Sequence, residues 1–488
     1  MPAAALAALI ALTALRLAMA ATLPLAPDEA YYWIWSQALA PGYLDHPPMV
    51  ALWISAGTAL AGDTALGVRL LGPFAAALGT VLLADAANRL LPGRQAGVIA
   101  AALLNATLFV GVGSVIMTPD SPLLLFWTGT LWALSRVITT GDRPVWGWWL
   151  LAGLCGGLAL ASKYTAAFLG IGIVLWLLVS PPMRRHLRHP GPWAGLFLAL
   201  AVFAPVLAWN ADHDWAGLLR QGGRVTTWQA GRAAQFLGEL IGGQAGLATP
   251  LVWALCLAGM VLALRQTWRS RDPVWTLLAL LSVPASLYFL WYALGARVQG
   301  NWPAIVYPAA VIAAAALTAP GWVRLRWPAV ALGLGLTLAA YLHAATGALP
   351  MPVPVDPIAL RLTDWDRVAT HVEAERQRIG ASFVASDQYA LASELAWTLP
   401  PETSVLGVEE RWRLFTLPPV AEVGPLGILL RDSRDQAPFD PALWHAVHRV
   451  GEVARGDVQV LHLFAVVPAA RQTPRIVTLP RPATGRLP

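Results

Sequence analysis

Apolar runs of about 18 residues or more recur from the N-terminus to about residue 346, each long enough to cross a bilayer as a helix. Read between the short polar breaks, they predict helices near 3–23, 64–90, 95–114, 121–138, 145–161, 164–180, 192–209, 246–264, 274–294, 303–319 and 328–346. The pattern is that of a polytopic α-helical membrane protein with about 11 transmembrane helices. Segment 29–62 is too broken to span. Within it, 30–39 and 48–60 predict two interfacial helices rich in Tyr and Trp. Pro47-Pro48 opens the second, since proline is tolerated in a first helical turn.

The pattern changes at Pro350-Met351-Pro352-Val353-Pro354, a linker beyond which charge becomes ordinary. A polar helix is expected over 364–379, and short buried strands over 382–385, 426–430 and 458–466. The chain therefore divides into a transmembrane domain, 1–349, and a small C-terminal α/β domain, 350–488, expected to be periplasmic. External loops fall at 24–63, 210–245 and 295–302.

Composition agrees with a membrane protein. Of 488 residues, 57% are hydrophobic and only 12% charged, about half the charged share of an ordinary soluble domain. Net charge is +6, but its distribution argues against a nucleic-acid partner. Arginines gather in alternate short loops: Arg89 and Arg94; Arg136 and Arg143; Arg184, Arg185 and Arg188; Arg265, Arg269 and Arg271; Arg324 and Arg326. By the positive-inside rule those loops are cytoplasmic, which puts the C-terminus outside. Ala18-Met19-Ala20 mimics a signal-peptide cleavage site, but Arg16 interrupts the apolar run and many spans follow, so an uncleaved first helix is expected. Cys155 and Cys256 both fall inside predicted spans, where a disulfide is not expected.

The candidate chemistry lies on the outer side of this topology. Asp28, Glu29, Asp45 and His46 occupy the first external loop; Asp120 opens the fourth span; Lys163 stands between the fifth and sixth; Arg297, Asn301 and Trp302 lie between the ninth and tenth. Ionisable groups near hydrocarbon are costly, so they mark function by default. Lys163 is the single lysine among 33 basic residues. A compact ammonium in an arginine-rich chain suits a point contact with phosphate. Plainer readings exist for each: Asp28 or Asp120 as helix caps, His46 as an interfacial side chain, and Arg297 as a snorkelling helix-end cation. Asn210, Asp212, His213 and Asp214 look metal-like in composition but follow a helix end, as a solvated loop would. A transporter would place ionisable groups at the midplane; here only Arg16 looks embedded.

Asp28-Glu29-Ala30-Tyr31-Tyr32-Trp33, Gly42-Tyr43-Leu44-Asp45-His46-Pro47-Pro48, Thr118-Pro119-Asp120, Ser162-Lys163-Tyr164-Thr165, Trp209-Asn210 and Gly300-Asn301-Trp302-Pro303 together resemble the C-type glycosyltransferase superfamily, in particular bacterial family 39 proteins of the protein-mannosyltransferase-like type. Gln388-Tyr389-Ala390 and Ser393-Glu394-Leu395 are similar to the tails of some members. The resemblance implies transfer of a sugar, with inversion, from a polyprenyl-phosphate donor to an external acceptor at the inner membrane. The acceptor would be an envelope glycolipid such as lipid A or its core, or a protein hydroxyl. It implies catalytic roles for Asp28, Asp120 and Glu29, donor-phosphate binding by Lys163, His46 and Arg297, and substrate contacts from Asp45, Tyr31, Tyr32, Asn301 and Trp302. One departure stands out: aminoarabinose-transferring relatives carry lysine where this chain has His46. Imidazole is only partly protonated near neutral pH, and Asp28, Glu29, Asp45 and His46 could instead gather a divalent cation; no other cofactor is implied.

Overall fold

The computed structural model describes residues 1–93, 95–140, 145–222, 228–418, 420, 423–470 and 476–482, and the side chain of residue 354 is not described. Arg94 and Arg143, counted above among the cytoplasmic arginines, lie outside the described residues. The chain forms two compact units. One comprises 1–18, 45–50 and 71–340; the other comprises 19–44, 51–70 and 341–488.

Among the described residues, six helices are long and apolar enough to cross a membrane: Ala3–Thr22, Ala65–Leu90, Pro190–Asp212, Pro250–Ser270, Pro273–Tyr292 and Pro320–Thr346. A seventh arises if Tyr164–Val179 and Pro181–Arg188, which meet at 101°, form one broken span. The expected span at 121–138 is one unbroken helix of 20 residues, Asp120–Thr139, less apolar than these six; the remaining expected spans are shorter or interrupted. The run predicted at 95–114, for example, divides into Ala96–Asn105 and Leu108–Gly111, where Thr107 caps the second piece. In the first unit, helix pairs close over small residues. A side chain at Gly153 would collide with the backbone of Gly195 on the facing helix, so the Trp146–Leu160 and Pro190–Asp212 helices approach backbone to backbone.

The second unit holds a six-stranded sheet: β1 (Phe383–Ser386), β2 (Ser404–Gly407), β3 (Gly427–Asp432), β4 (Trp444–Arg455), β5 (Gln459–Pro468) and β6 (Val477–Thr478), in spatial order β4-β5-β3-β1-β2-β6. β1 pairs in parallel with β2 and β3, while β4, β5 and β6 add antiparallel edges. All four residues of β1 are buried, as a central strand covered on both faces requires. The helix expected at 364–379 is Trp365–Arg378, and the three expected strands are β1, β3 and β5. β2 and β6 are too short to show a period, and β4 has the mixed polarity of an edge. The β1–β2 crossover helix, Tyr389–Thr398, packs on the Pro27–Gln37 helix of the same unit.

Candidate active site

In the first unit the helix Trp146–Leu160 ends in a turn whose next residue, Lys163, is extended before the chain re-enters a helical turn at Tyr164. That extension aims the lysine at the first residue of the Asp120–Thr139 helix. Its Nζ lies 2.8 and 2.9 Å from the two Asp120 carboxylate oxygens. Asn301 Nδ2 donates to Asp120 Oδ2 at 2.5 Å. The pair is nearly but not fully enclosed, with side chains 6% and 13% exposed. Two of the three ammonium N–H donors meet Asp120, and among the described residues Lys163 has no other partner. This is a preorganised cation with a donor to spare.

Its surroundings are built from neighbouring segments of the same unit. The Met49 N–H donates to the Ala161 carbonyl, so the Asp45-His46-Pro47-Pro48 stretch is pinned beside the turn that carries Lys163. The Asp45 carboxylate lies 3.6 Å from Arg220 Nε, and its carbonyl accepts from Gln221 Nε2. His46 is half-buried. Asn210, fully buried, donates to the Tyr164 hydroxyl and accepts from the Leu218 N–H; it braces the turn after Lys163. The 300–303 loop borders an open apolar cleft of about 120 Å³, lined by Leu240, Cys256, Phe289 and Pro303. At its polar end the Tyr307 hydroxyl donates to Gln244, whose amide donates to the Gly300 carbonyl. Trp302 packs against Tyr292 in the helical core. Arg297 is mostly exposed and pairs with Glu239 at 2.8 Å.

In the second unit, Asp28 and Glu29 share the first turn of the Pro27–Gln37 helix, where the helix dipole favours negative charge. One is exposed and the other fully buried. Glu29 accepts from Arg69 at 2.7 and 2.5 Å and from the Ala26 N–H at 3.0 Å. The other Arg69 donors meet the carbonyls of Ala20, Leu23 and Pro24. Asp28 keeps its carboxylate outward, with the Tyr389 hydroxyl 3.4 Å from Oδ1. Tyr31 and Tyr32 are buried. The Tyr31 ring lies among Trp35, Tyr389, Trp412 and Phe415, and the Tyr32 ring packs on Trp35. Both are packing surface for the helix that carries Asp28. Tyr43 closes the loop, its hydroxyl 3.0 Å from the Trp35 and Ala38 carbonyls; burial pushes that phenol up from its ordinary value.

The chain thus brings Asp120, Lys163 and Asn301 into direct contact, with Asp45 and His46 pinned nearby in sequence. It sets Glu29 apart in a closed ion pair. Arg69 and Arg411 carried no visible signal in the sequence, whereas Asn210 stood in the Trp209-Asn210 motif and Tyr389 in the weaker Gln388-Tyr389-Ala390 stretch. For the divalent cation considered above, among the described residues no three His, Cys, Asp or Glu side chains are grouped to share one. Glu29 moreover spends both oxygens on Arg69 and the Ala26 amide. Glu29, closed in this way, does not fit the part of a metal ligand.

Residues 45–209 match the dolichyl-phosphate-mannose-protein mannosyltransferase family. The chain is similar to the lipid A galacturonosyltransferase RgtD of Rhizobium johnstonii, with 29% identity over 388 residues, or 76% of this chain and 77% of the relative. Its fold resembles ArnT from Cupriavidus metallidurans in the apo state, with TM-score 0.65, 16% identity and 94% and 97% of the two chains covered. The same protein bound to undecaprenyl phosphate gives TM-score 0.64, 16% identity and 95% and 98% coverage.

Proposed function

We propose that this C-type membrane glycosyltransferase moves a sugar from a polyprenyl-phosphate donor onto lipid A or a related envelope glycolipid, on the periplasmic face of the inner membrane. The family match and the galacturonosyltransferase relative support the class and the acceptor. The fold shared with a protein that binds undecaprenyl phosphate supports a lipid-phosphate donor. The alternating arginine loops support the orientation.

The observation that carries the reading is the Lys163–Asp120–Asn301 arrangement. Breaking the bond between sugar and phosphate leaves extra negative charge on the phosphate. A fixed, partly dehydrated ammonium stabilises that charge strongly, and it needs no reorganisation at the moment of reaction. Asp120 and Asn301 hold Lys163 for this task. The apolar cleft beside the 300–303 loop has the chemistry of an isoprenoid or acyl chain. His46 and Arg297 add positive charge for the same phosphate when their other contacts allow it, and Asp45 and Asn301 offer polar contacts to the sugar. A hydroxyl acceptor must lose a proton, and exposed Asp28 is the base.

Mass spectrometry of envelope glycolipids from a deletion strain, complemented with wild type or with Asp28→Asn, tests the reading. The expected result is a sugar-sized mass lost on deletion and restored by wild type alone. In purified protein, Asp28→Asn should lower turnover by roughly 10²–10⁴. Near-normal turnover would remove Asp28 from the role of base, and an unchanged glycolipid profile on deletion would redirect the search to protein acceptors.

A further inference from the structure

The sheet-bearing part of the chain has no task in the reaction as described so far, yet one of its residues touches the base. Tyr389 opens the crossover helix after β1, and its hydroxyl is the group 3.4 Å from Asp28 Oδ1. Three contacts hold its ring and backbone. Its N–H donates to Glu409 Oε2 at 2.9 Å. The Arg411 guanidinium lies 3.8 Å from the ring centroid, with its Nε 2.7 Å from Glu409 Oε1. On another side the Tyr31 ring approaches to 4.7 Å, and Arg411 also donates to the Tyr31 hydroxyl. Glu409 and Arg411 both follow β2, so the carboxyl end of that parallel strand supplies the charged part of this support.

We propose that Tyr389, braced by Arg411 and Glu409, is a positioning residue for the Asp28 carboxylate, so that the extramembrane domain takes part in the transfer. The inference rests on the reading of Asp28 as general base. A cation against an aromatic face draws electron density from the ring and makes the phenol a stronger donor. Donation to a carboxylate favours its ionised form and fixes its rotamer. At 3.4 Å the bond is long for an O–H···O pair; bonds to catalytic groups often tighten only when substrate is in place. The Tyr389 hydroxyl faces Asp28 from the crossover helix, and Arg411 and Glu409 hold Tyr389 from the segment after β2. On its own helix, Glu29 turns inward to Arg69.

Tyr389→Phe keeps the ring, its Arg411 contact and its Tyr31 contact, and removes only the hydroxyl. The assay uses full-length protein in lipid nanodiscs with a polyprenyl-phosphate sugar and lipid A, read as kcat and donor KM across pH. The expected result is about a tenfold fall in kcat, an unchanged donor KM and thermal midpoint, and an acid limb of the kcat profile displaced to higher pH. Arg411→Gln should move that limb the same way by less. An acid limb that stays in place in both variants overturns the proposal, since a purely structural Tyr389 would alter stability without altering titration. Asp28→Asn is run beside them. If it retains turnover, the base assignment fails, and the positioning role with it. If it abolishes turnover while Tyr389→Phe is silent, only the positioning role fails.

Discussion

Two of the buried acid–base pairs among the described residues, Glu29–Arg69 and Asp120–Lys163, differ in what they leave unsatisfied. Glu29 and Arg69 are 0% and 1% exposed, and every guanidinium donor has an acceptor: two carboxylate oxygens and three carbonyls. Asp120 and Lys163 are slightly open, and the ammonium keeps one N–H uncommitted among the described residues. Arginine presents a rigid fork that can be saturated, whereas lysine is a compact point charge that can take one more anion. A closed pair ties segments together, while a pair with a spare donor can serve a substrate. Both carboxylates stand in the first turn of a helix, so position alone does not separate them.

The largest expected effect comes from breaking the closed pair. Arg69→Met leaves an uncompensated buried carboxylate, which costs about 3–5 kcal/mol, a large share of a typical folding free energy of about 5–15 kcal/mol. The expected outcome is protein that no longer elutes as a single species from size exclusion in detergent. The double variant Glu29→Gln with Arg69→Met should recover much of the lost material, because no buried charge remains. Well-folded Arg69→Met protein that has lost only transfer would break the comparison and give Glu29 a chemical role.

Lys163→Met acts on the open pair. It should lower kcat/KM for the lipid-linked donor by about a hundredfold, roughly 2.7 kcal/mol of transition-state stabilisation. Its thermal midpoint should fall less than that of Arg69→Met, since Asp120 keeps Asn301 and some access to water. Lys163→Arg should restore charge but only part of the rate, because the wider guanidinium spreads over Asp120 and loses the spare point contact. Donor kinetics that match wild type in Lys163→Met would remove it from phosphate binding.

Residue types and apolar periodicity made the membrane class, the polar helix and three strands readable. They also marked Asp28, Asp120, Lys163 and Asn301 individually. Pairings were not readable, because each depends on chain segments far apart: Asp120 meets Lys163 across 43 positions and Asn301 across 181. Adjacent Asp28 and Glu29 carry the same charge in the same motif, and only the rotation of the helix sends one out and the other in. The resemblance implies substrate contacts from Tyr31 and Tyr32; the structure buries both rings against Trp35, and Tyr31 also against Trp412 and Phe415 after β2, a packing that local sequence does not show. Arg297 read as a cation for phosphate, and Glu239 already shares its charge.

A third buried pair sharpens the comparison by separating burial from chemistry, with the smallest expected effect. His343 Nε2 lies 2.8 Å from Asp356 Oδ2 in the sheet-bearing unit, and the Ile358 and Ala359 N–H groups donate to Oδ1. Burial alone would raise the Asp356 carboxyl, but the hydrogen bonds from His343 and the two amides outweigh it, and the group sits below its ordinary value. A carboxyl depressed by folding stabilises the protein fully above its unfolded value of about 3.9, and that contribution disappears as pH falls through the lower, folded value. The thermal midpoint of wild type should therefore drop as acid is added below about pH 4, and the drop should be shallower in Asp356→Asn, whose side chain cannot titrate. Transfer activity measured at neutral pH should change little in that variant, because both Asp356 oxygens are taken by His343 and by the Ile358 and Ala359 amides. A neutral-pH kcat reduced as far as in Lys163→Met would mean that enclosure, and not the spare donor, is what marks a working pair in this chain.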